Sequence, residues 1–379
     1  MKRLIAFYLP QYHPIPLNDQ AWGKGFTEWT NVAKAKPLYR GHLQPHLPSD
    51  LGYYDLRVPE TREAQAQLAR SHGVEAFCYW HYWFGEGKRL LERPFQEVLD
   101  SGSPDFPFCL AWANETWTGI WHGCGNETLM EQRYPGKHDC ERHFEALLPA
   151  FQDKRYVTVD GKRLFAVYKP TQIPDPAEFT GTWNDLARQA GLEGFYFVGV
   201  ATEWNPQKDG FDACVSTAPG AQVRTLPRPL ARRVIDYALK RTVGENVDSL
   251  MKKLLKRPMT RDYAAYVNHA YSEPLSDYEL PVVVSNWDNT PRSGAHGLVL
   301  ENSTPELFKV LMRKAFAQVE SRDPEHRIVF LKSWNEWAEG NYVEPDRQYG
   351  TAYLEAIKEV LAEDGRACTT HKMERLVAA

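Results

Sequence analysis

The 379-residue sequence predicts a (β/α)8 TIM barrel with an elaborated first loop and a helical insertion. Eight short apolar runs rich in Phe, Val, Ile and Tyr recur along the chain, and stretches with helical periodicity separate several of them. Each run is continuous rather than alternating, as expected of parallel strands that are covered on both faces. A barrel also accounts for this length as one unit. The eight predicted strands are residues 4–9, 75–82, 106–113, 164–168, 194–201, 213–217, 281–285 and 328–333.

Helical patterns between these runs support an alternation of strands and helices. Residues 62–72 place apolar side chains on one face and are followed by Gly73, a common helix stop. The sequence Thr-Pro-Glu at 304–306 combines a cap, a first-turn proline and an acid, and therefore predicts a helix start. A doubly wound open sheet is the alternative fold, but the Gly-rich phosphate turn after its first strand is missing. Further helices are predicted at 143–151, 184–191 and 351–362.

Two stretches interrupt the alternation and define the predicted domain organisation. Residues 10–59 are Pro-rich and aromatic, and we interpret them as a long first loop. Residues 224–262 hold 11 Lys/Arg and 4 Asp/Glu, a local net charge of +7, with leucines and valines at helical spacing. The predicted organisation is a barrel over residues 1–364 that contains a basic helical insertion at 224–278, followed by a polar tail at 365–379.

Composition and short motifs exclude several classes of function. The 45 Lys+Arg against 49 Asp+Glu, a net charge of −4, argue against a nucleic-acid-binding protein. No run of 18 apolar residues is present, and the six cysteines form no CxxC pair, so we expect a reduced, cytoplasmic protein. A P-loop, a dinucleotide fingerprint, HExxH and a nucleophile elbow are all absent from the sequence. We therefore expect neither a cofactor nor a metal.

Polar and aromatic residues follow the predicted strands at the ends where such barrels place their active sites. Aromatic rings stack on the C–H face of sugars, while amides, carboxylates and guanidinium groups bind hydroxyls. Trp22 and Trp183 lie away from the strand ends and are expected to be packing residues. The predicted sugar contacts at the strand ends are Gln11, Tyr12, His13, His81, Tyr82, Trp83, Asn114, Glu115, Trp117, Glu203, Trp204, Asn286, Trp287, Asp288, Arg292, Asn335 and Trp337.

The strongest catalytic candidates are Glu336 and Glu339, which follow the last predicted strand. Three residues apart on a turn, their carboxylates can reach one cleft. Trp334 and Trp337 are expected to cover them, and apolar surroundings raise a carboxyl pKa so that the group can act as an acid. Two carboxyl groups with different pKa values are what glycoside cleavage requires. The alternative interpretation is a solvated acidic turn.

Residues 335–340 (NEWAEG), followed by Glu344, resemble the NEWxEG…E segment of family 99 glycoside hydrolases, the endo-α-mannosidases. Residues 8–13 (YLPQYH), 26–29 (FTEW) and 286–292 (NWDNTPR) resemble the WbsX-like group of that superfamily. This group is associated with bacterial surface-polysaccharide biosynthesis, including O-antigen, and is often labelled glycosyltransferase. The resemblance covers residues 1–362, but the chain has Ala338 where family 99 enzymes usually have His. Through these segments it adds Tyr8, Trp29 and Glu344 to the expected substrate-binding residues.

The resemblance implies a retaining, endo-acting cleavage of α-linked manno-configured sugars, of mannose or rhamnose type. Glu336 would deprotonate the sugar 2-hydroxyl, which attacks the anomeric carbon to give a 1,2-anhydro sugar. Glu339 would protonate the leaving oxygen and then activate water. In the ordinary retaining alternative, one glutamate is the nucleophile and the carboxyls lie roughly 5–5.5 Å apart.

Other functions stay open at this point. A glycosyltransferase would normally need a doubly wound fold, often with a DxD metal motif, and neither is found. A transglycosylase would use the same intermediate with a sugar hydroxyl in place of water. A non-catalytic glycan-binding barrel is the third alternative. The expected partner is an oligo- or polysaccharide, and the oligomeric state is left open.

The basic insertion at 224–262 has two interpretations. It can be a helical cover over the barrel mouth with a solvated basic face. Alternatively, a basic amphipathic segment can hold the protein weakly at anionic lipid headgroups, as a peripheral contact at the inner membrane face.

Overall fold

The computed structural model describes residues 2–119, 127–216, 219–226 and 230–363. It confirms the predicted barrel, since all eight apolar runs contain a strand of one largely parallel sheet. The predicted tail at 365–379 and residues 227–229 of the predicted insertion lie outside the described residues. The barrel strands are β1 (Arg3–Tyr8), β2 (Ala76–Trp83), β3 (Phe108–Trp112), β4 (Lys162–Val167), β5 (Phe195–Val200), β6 (Ala213–Val215), β7 (Glu279–Leu280 and Val282–Val283) and β8 (Ile328–Leu331).

The sheet closes through β7, which Pro281 divides into two pieces. The strand order is β6-β5-β4-β3-β2-β1-β8, and β7 joins the two ends. Its first piece pairs with β6 and its second with β8, both in parallel. Proline has no N–H to donate to a ladder, but the Pro281 carbonyl accepts a hydrogen bond from Phe330 N at 2.9 Å. The interruption therefore lies where β7 changes partners.

The predicted helices are present, and most begin earlier than the apolar pattern indicated. The helix expected at 143–151 starts at Lys137, because its first turn is polar and carries no periodic signal. At 305–317 the expected Thr304 cap accepts from Leu307 N at 3.3 Å. The helices are α1 (Pro16–Trp22), α2 (Glu28–Lys34), α3 (Pro59–Ser71), α4 (Arg93–Ser101), α5 (Lys137–Gln152), α6 (Pro176–Gln189), α7 (Gly220–Thr225), α8 (Leu230–Val243), α9 (Val247–Leu255), α10 (Tyr263–His269), α11 (Thr290–Ser293), α12 (Pro305–Ala317) and α13 (Ala352–Ala362).

Aromatic packing fills the space between the barrel and its helices. Trp183 on α6 is fully buried and stacks within about 5 Å of Phe165, Phe179 and Phe195. This confirms the expectation that Trp183 is a packing residue. Because such a side chain removes a large apolar area from water, it fixes α6 against strands β4 and β5.

The predicted insertion divides into two structurally different parts. Met259–Asp262 pairs in parallel with a second short strand, Leu298–Glu301. The following helix, α10, buries Tyr263 and Tyr266 against the main core. Residues 259–269 thus belong to the body of the protein, whereas α8 and α9 bury little of their surface.

Candidate active site

Arg292 is the centre of a charged cluster at the carboxyl ends of β7 and β8. It lies on α11, whose first turn contains Pro291. Its guanidinium donates to Glu336 at 2.7 Å, to Glu339 at 2.8 Å and to Glu28 at 3.1 Å. The planar fork of arginine can serve several carboxylates at once, which a lysine cannot do. The structure therefore brings both catalytic candidates onto one cation.

The turn that carries the two glutamates is fixed by backbone contacts. Asn335–Glu336 pairs with Asn341–Tyr342, and Trp337–Glu339 forms the 3-10 turn between them. Gly340 closes the turn at φ 69°, and a Cβ there would lie 2.8 Å from Asp288 N. That amide donates to the Glu339 carbonyl at 2.7 Å. Only glycine combines this conformation with so close an approach.

Burial gives Glu336 an unusual pKa. Desolvation raises the pKa of Glu336 to about 7, Arg292 opposes the rise, and the neighbouring Glu339 and Glu28 add to it. The side chains of Glu336 and Glu339 stay 8% and 13% exposed, so both keep some contact with solvent. A carboxyl that titrates near neutrality can both accept and donate a proton during turnover.

Glu344 lies beneath this turn as a buried acceptor of four hydrogen bonds. Trp334 and Trp337 donate their indole N–H groups to it at 2.9 and 2.7 Å. Gln65 and Tyr54 donate at 2.6 and 2.8 Å. Burial raises the pKa of Glu344 to about 7 although these donors oppose the rise. Both indole N–H groups point at Glu344, and the expectation that the two rings also cover Glu336 and Glu339 stays a prediction. Glu344 thus supports the turn, and its expected role in substrate binding stays a prediction.

Four more of the predicted sugar contacts are buried and form hydrogen bonds within the protein, and their role toward a sugar stays a prediction. Tyr12 donates to the Asn335 carbonyl and accepts from Trp337 N. The Asn335 amide oxygen accepts from Leu9 N at 2.8 Å. Tyr8 and Trp29 donate to Gln65 Oε1 and the Tyr54 carbonyl, respectively. They join the first loop and β1 to the turn that carries Glu336 and Glu339.

His81 and Asn114, two further predicted sugar contacts, also have hydrogen-bond partners within the protein. His81 Nε2 lies 2.9 Å from His143 Nε2, so one neutral ring donates to the other. Burial, and then Arg89, lowers the pKa of His81 to about 3. Asn114 is buried and connects the Lys169 backbone with Tyr134. The Asn114 amide is therefore used within the protein, whereas the hydrogen bond of His81 involves only its Nε2.

Other predicted residues border the cluster. Tyr82 lies close enough to Glu336 that, after burial, this carboxylate contributes to raising the Tyr82 pKa. Trp117 packs edge-on against Tyr82 at 5.1 Å. Glu115 forms an ion pair with Lys169 at 2.9 Å. Aromatic and charged side chains thus lie next to the cluster, and their contact with a sugar stays a prediction.

On the opposite side of the cluster, Lys332 lies over the ring of Trp287, with its ammonium 4.9 Å from the ring centroid. Trp287 keeps 8% of its surface exposed. The Lys332 charge also lowers the pKa of Glu336, against the larger effect of burial.

Asn286 and Asp288 line a separate cavity of about 330 Å³, whose lining includes neither Glu336 nor Glu339. Asp288 accepts from His42 at 2.8 Å and Gln44 at 2.6 Å. Burial alone would raise the pKa of Asp288, but the His42 and Thr290 hydrogen bonds bring it below its usual value.

The remaining predicted contacts lie outside the Arg292 cluster. Trp83 lines a cavity of about 120 Å³ and donates to Asp139 at 2.9 Å. Glu203 is exposed, and Trp204 packs against Gly199 and donates to Asp209. Gln11 and His13 are buried in the first loop, where the Gln11 carbonyl accepts from Glu28 N.

Glu28 is the main residue that the sequence interpretation missed. It is 1% exposed and pairs with Arg292 across 264 positions of the chain. Its place at the start of α2, after the Thr27 capping box, made it look like an ordinary first-turn acid. Its segment, residues 26–29, had been singled out only by resemblance.

Neither a metal site nor a membrane-spanning helix is found in the described residues. Among those residues, no group of three or more His, Cys, Asp or Glu side chains is arranged to hold a metal ion. The same part of the chain contains no helix that is both long and apolar enough to cross a membrane.

Comparisons with known proteins agree with this barrel. A family model described as glycosyltransferase WbsX matches residues 4–357. The protein WxcX of Xanthomonas campestris pv. campestris is 38% identical over 363 residues, which are 94% of this chain and 49% of that protein. WxcX of strain B100 is 37% identical over 367 residues, with the same coverage. The chain thus spans about half the length of the curated relatives it matches.

Solved structures match over nearly the whole chain. A glycoside hydrolase-like protein has a TM-score of 0.57 at 14% identity, covering 96% of this chain and 94% of that one. The family 99 endo-α-mannosidase from Bacteroides thetaiotaomicron has a TM-score of 0.55 at 14% identity, covering 100% and 99%. At this identity the likeness establishes the barrel fold alone.

Proposed function

We propose, since this chain belongs to the glycosyltransferase WbsX family, that it is an enzyme which cleaves α-linked, manno-configured bacterial polysaccharide or its precursor. The reaction is a hydrolysis with retention of anomeric configuration, and it is endo-acting. The observation that carries the proposal is the Arg292 cluster, in which one guanidinium holds Glu336 and Glu339 at 2.7 and 2.8 Å. This chain spans only 49% of WxcX, so the proposal does not extend to the activity of the whole WxcX protein.

In the first step, Glu336 takes the proton of the sugar 2-hydroxyl. The 2-oxygen forms a bond to the anomeric carbon while the bond to the leaving oxygen breaks, and Glu339 gives its proton to that oxygen. A raised pKa of Glu336, about 7, suits a base that must later return its proton. The product is a 1,2-anhydro sugar.

In the second step, Glu339 takes a proton from a water molecule that attacks the anomeric carbon. The bond between that carbon and the 2-oxygen breaks, and Glu336 returns the proton to the 2-oxygen. Arg292 balances the charge on both carboxylates throughout, since it keeps a hydrogen bond to each. Replacing water by a sugar hydroxyl turns the same two steps into transglycosylation.

The family description favours a second candidate, transfer of a sugar to a growing polysaccharide. Transglycosylation needs only the cluster described above, whereas transfer from a nucleotide sugar needs a diphosphate site. A non-catalytic glycan-binding barrel is the third candidate, and a buried pair of glutamates on one arginine argues against it, because burying such charges is costly without a task for them.

The test is a screen of purified protein against α-linked manno- and rhamno-configured oligosaccharides, with and without nucleotide sugars. Glu336→Gln and Glu339→Gln should each lower turnover by about 10²–10⁴-fold, as expected for a lost acid or base. Glu320→Gln is the matched control, because Glu320 is exposed in the helix-to-strand loop before β8, at the opposite end of the barrel. Near-normal turnover in either cluster variant would remove that residue from the mechanism. Turnover only with a nucleotide sugar would replace hydrolysis by transfer.

A further inference from the structure

Helices α8 and α9 form a hairpin that is held by its own ion pairs. Val247 N donates to the Asp236 carboxylate at 2.9 Å, and Arg232 pairs with Asp248 at 2.7 Å. Arg261, on the adjoining strand, binds the other oxygen of Asp248 at 2.9 Å. The hairpin is thereby attached to the body of the protein at its polar side.

The hairpin exposes an unusual amount of apolar surface. Of the ten large hydrophobic side chains that are exposed in the described part of the chain, six lie on it. Leu254 and Tyr237 are the most open, at 74% and 67%. Single exposed apolar residues are ordinary, but a group of them marks an interaction surface. The six residues are Val234, Ile235, Tyr237, Val243, Leu254 and Leu255.

The charges of the hairpin are also unevenly distributed, because its acids are paired while several of its basic residues have no ion-pair partner in the part of the chain that the structure describes. Its three acids, Asp236, Glu245 and Asp248, all have basic partners on the hairpin. By contrast, Arg233, Lys240 and Lys256 are exposed and form no ion pair within the described residues. Residues 230–257 carry eight Lys/Arg and three Asp/Glu, whereas the whole chain has a net charge of −4. The outward surface is consequently apolar and cationic.

We propose that this hairpin docks on an anionic lipid surface. Leucine, isoleucine and tyrosine side chains enter the boundary between headgroups and acyl chains, while lysine and arginine neutralise the lipid charge. A second copy of the chain fits less well, because each copy presents the same positive surface at this hairpin. The lipid surface matches both properties, the apolar side chains and the positive charge.

Each basic residue near an anionic membrane contributes about 1 kcal/mol, so neutralising three of them should weaken binding by about 100-fold. The attraction also falls with added salt, since the Debye length shortens to about 3 Å at 1 M. Because the hairpin lies outside the Arg292 cluster, its variants should keep their activity on soluble oligosaccharides.

Co-sedimentation of the full chain with vesicles tests the proposal. We expect salt-sensitive binding to an equimolar mixture of phosphatidylcholine and phosphatidylglycerol, and none to phosphatidylcholine alone. Two variants should lose it: Leu254→Ser with Leu255→Ser, and the triple change of Arg233, Lys240 and Lys256 to Gln. The matched control neutralises three exposed basic residues elsewhere and should bind like the wild type. The control changes Lys36, Arg40 and Lys208 to Gln.

Several results would overturn the proposal. They are failure of the wild type to sediment with anionic vesicles at low salt, equal binding to both vesicle types, and an equal loss in the control variant. Light scattering of the free protein provides a further check, because a dimer that the double serine change dissociates would make a second copy the occupant. None of these results depends on whether the protein cleaves a glycan.

Discussion

Replacing Arg292 tests most directly whether its charge sets the pKa of the neighbouring carboxyl groups. Arg292→Met keeps the apolar stem and removes the charge that three carboxylates share. At a separation of about 4 Å and an effective dielectric constant of about 20, one unit charge stabilises another by about 4 kcal/mol. That energy corresponds to about 3 pKa units. The pKa of Glu336, which burial raises to about 7, should therefore rise further.

The sign of the pH effect follows from the role of Glu336 as a base. Activity depends on the ionised form, so the wild-type rate should increase as the pH rises through about 7. In Arg292→Met this limb should move to higher pH, and kcat/KM at pH 7 should fall by at least about 100-fold, since a rise of about 3 pKa units lowers the ionised fraction of the base from about one half to about one thousandth. In Arg292→Met, kcat/KM should still increase with pH in the range where the wild-type value no longer changes.

Glu28→Gln provides a control of opposite sign. Glu28 is a like charge that raises the pKa of Glu336, and its loss leaves Arg292 with two carboxylates instead of three. The acidic side of the pH profile of kcat/KM should then move to lower pH. This shift should be smaller than the upward shift in Arg292→Met.

The assay is a pH profile of kcat/KM on the substrate found by the oligosaccharide screen. A substrate-free measurement accompanies it, namely infrared titration of the protonated carboxyl band, with Glu336→Gln identifying the relevant signal. Circular dichroism checks that each variant is folded. A folded Arg292→Met protein whose limb stays in place or moves downward would refute the reasoning, and so would an upward shift in Glu28→Gln.

Three further predictions concern metals, the support of the turn and the core. Activity should survive exhaustive treatment with EDTA, and a loss that Mn²⁺ or Mg²⁺ restores would favour the transferase function instead. Glu344→Ala strands the N–H groups of Trp334 and Trp337, so the free energy of unfolding from denaturant titration should fall by about 1–3 kcal/mol for each. An unchanged midpoint would show that Glu344 does not support the turn. Trp183→Ala should cost about 3–5 kcal/mol in the same titration, because a fully buried indole leaves a cavity, and a loss below about 1 kcal/mol would contradict its packing role.

The barrel could be predicted because the pattern that marks each strand lies within a few consecutive residues. Each strand is a continuous apolar run, and the strand ends carry polar residues in consecutive positions, so Glu336 and Glu339 could be chosen without knowing any contact. Helix starts were less visible, as at Lys137, where the first turn is polar. Pro281 inside the seventh strand also left no signal for the change of partners that closes the sheet.

The roles of individual side chains depend on contacts that no local pattern records. Trp334 and Trp337 alternate with Glu336 and Glu339 in the sequence, yet both indoles turn to Glu344 beneath them. Glu28 reaches Arg292 from the first loop, 264 positions away. An aromatic or polar residue that follows a strand can face solvent, the protein interior or a neighbouring helix. Tyr12 faces the interior, where it donates to the Asn335 carbonyl.

The central claim is that Glu336 and Glu339 together cleave an α-linkage with retention of configuration. It is tested most directly by ¹H NMR of the first-formed product, recorded with wild-type protein and with the two glutamine variants on the substrate from the screen. The account predicts that the α-anomer appears first with the wild type and that neither variant forms appreciable product in the same time. A β-anomer appearing first, or equal product formation by either variant, would contradict it.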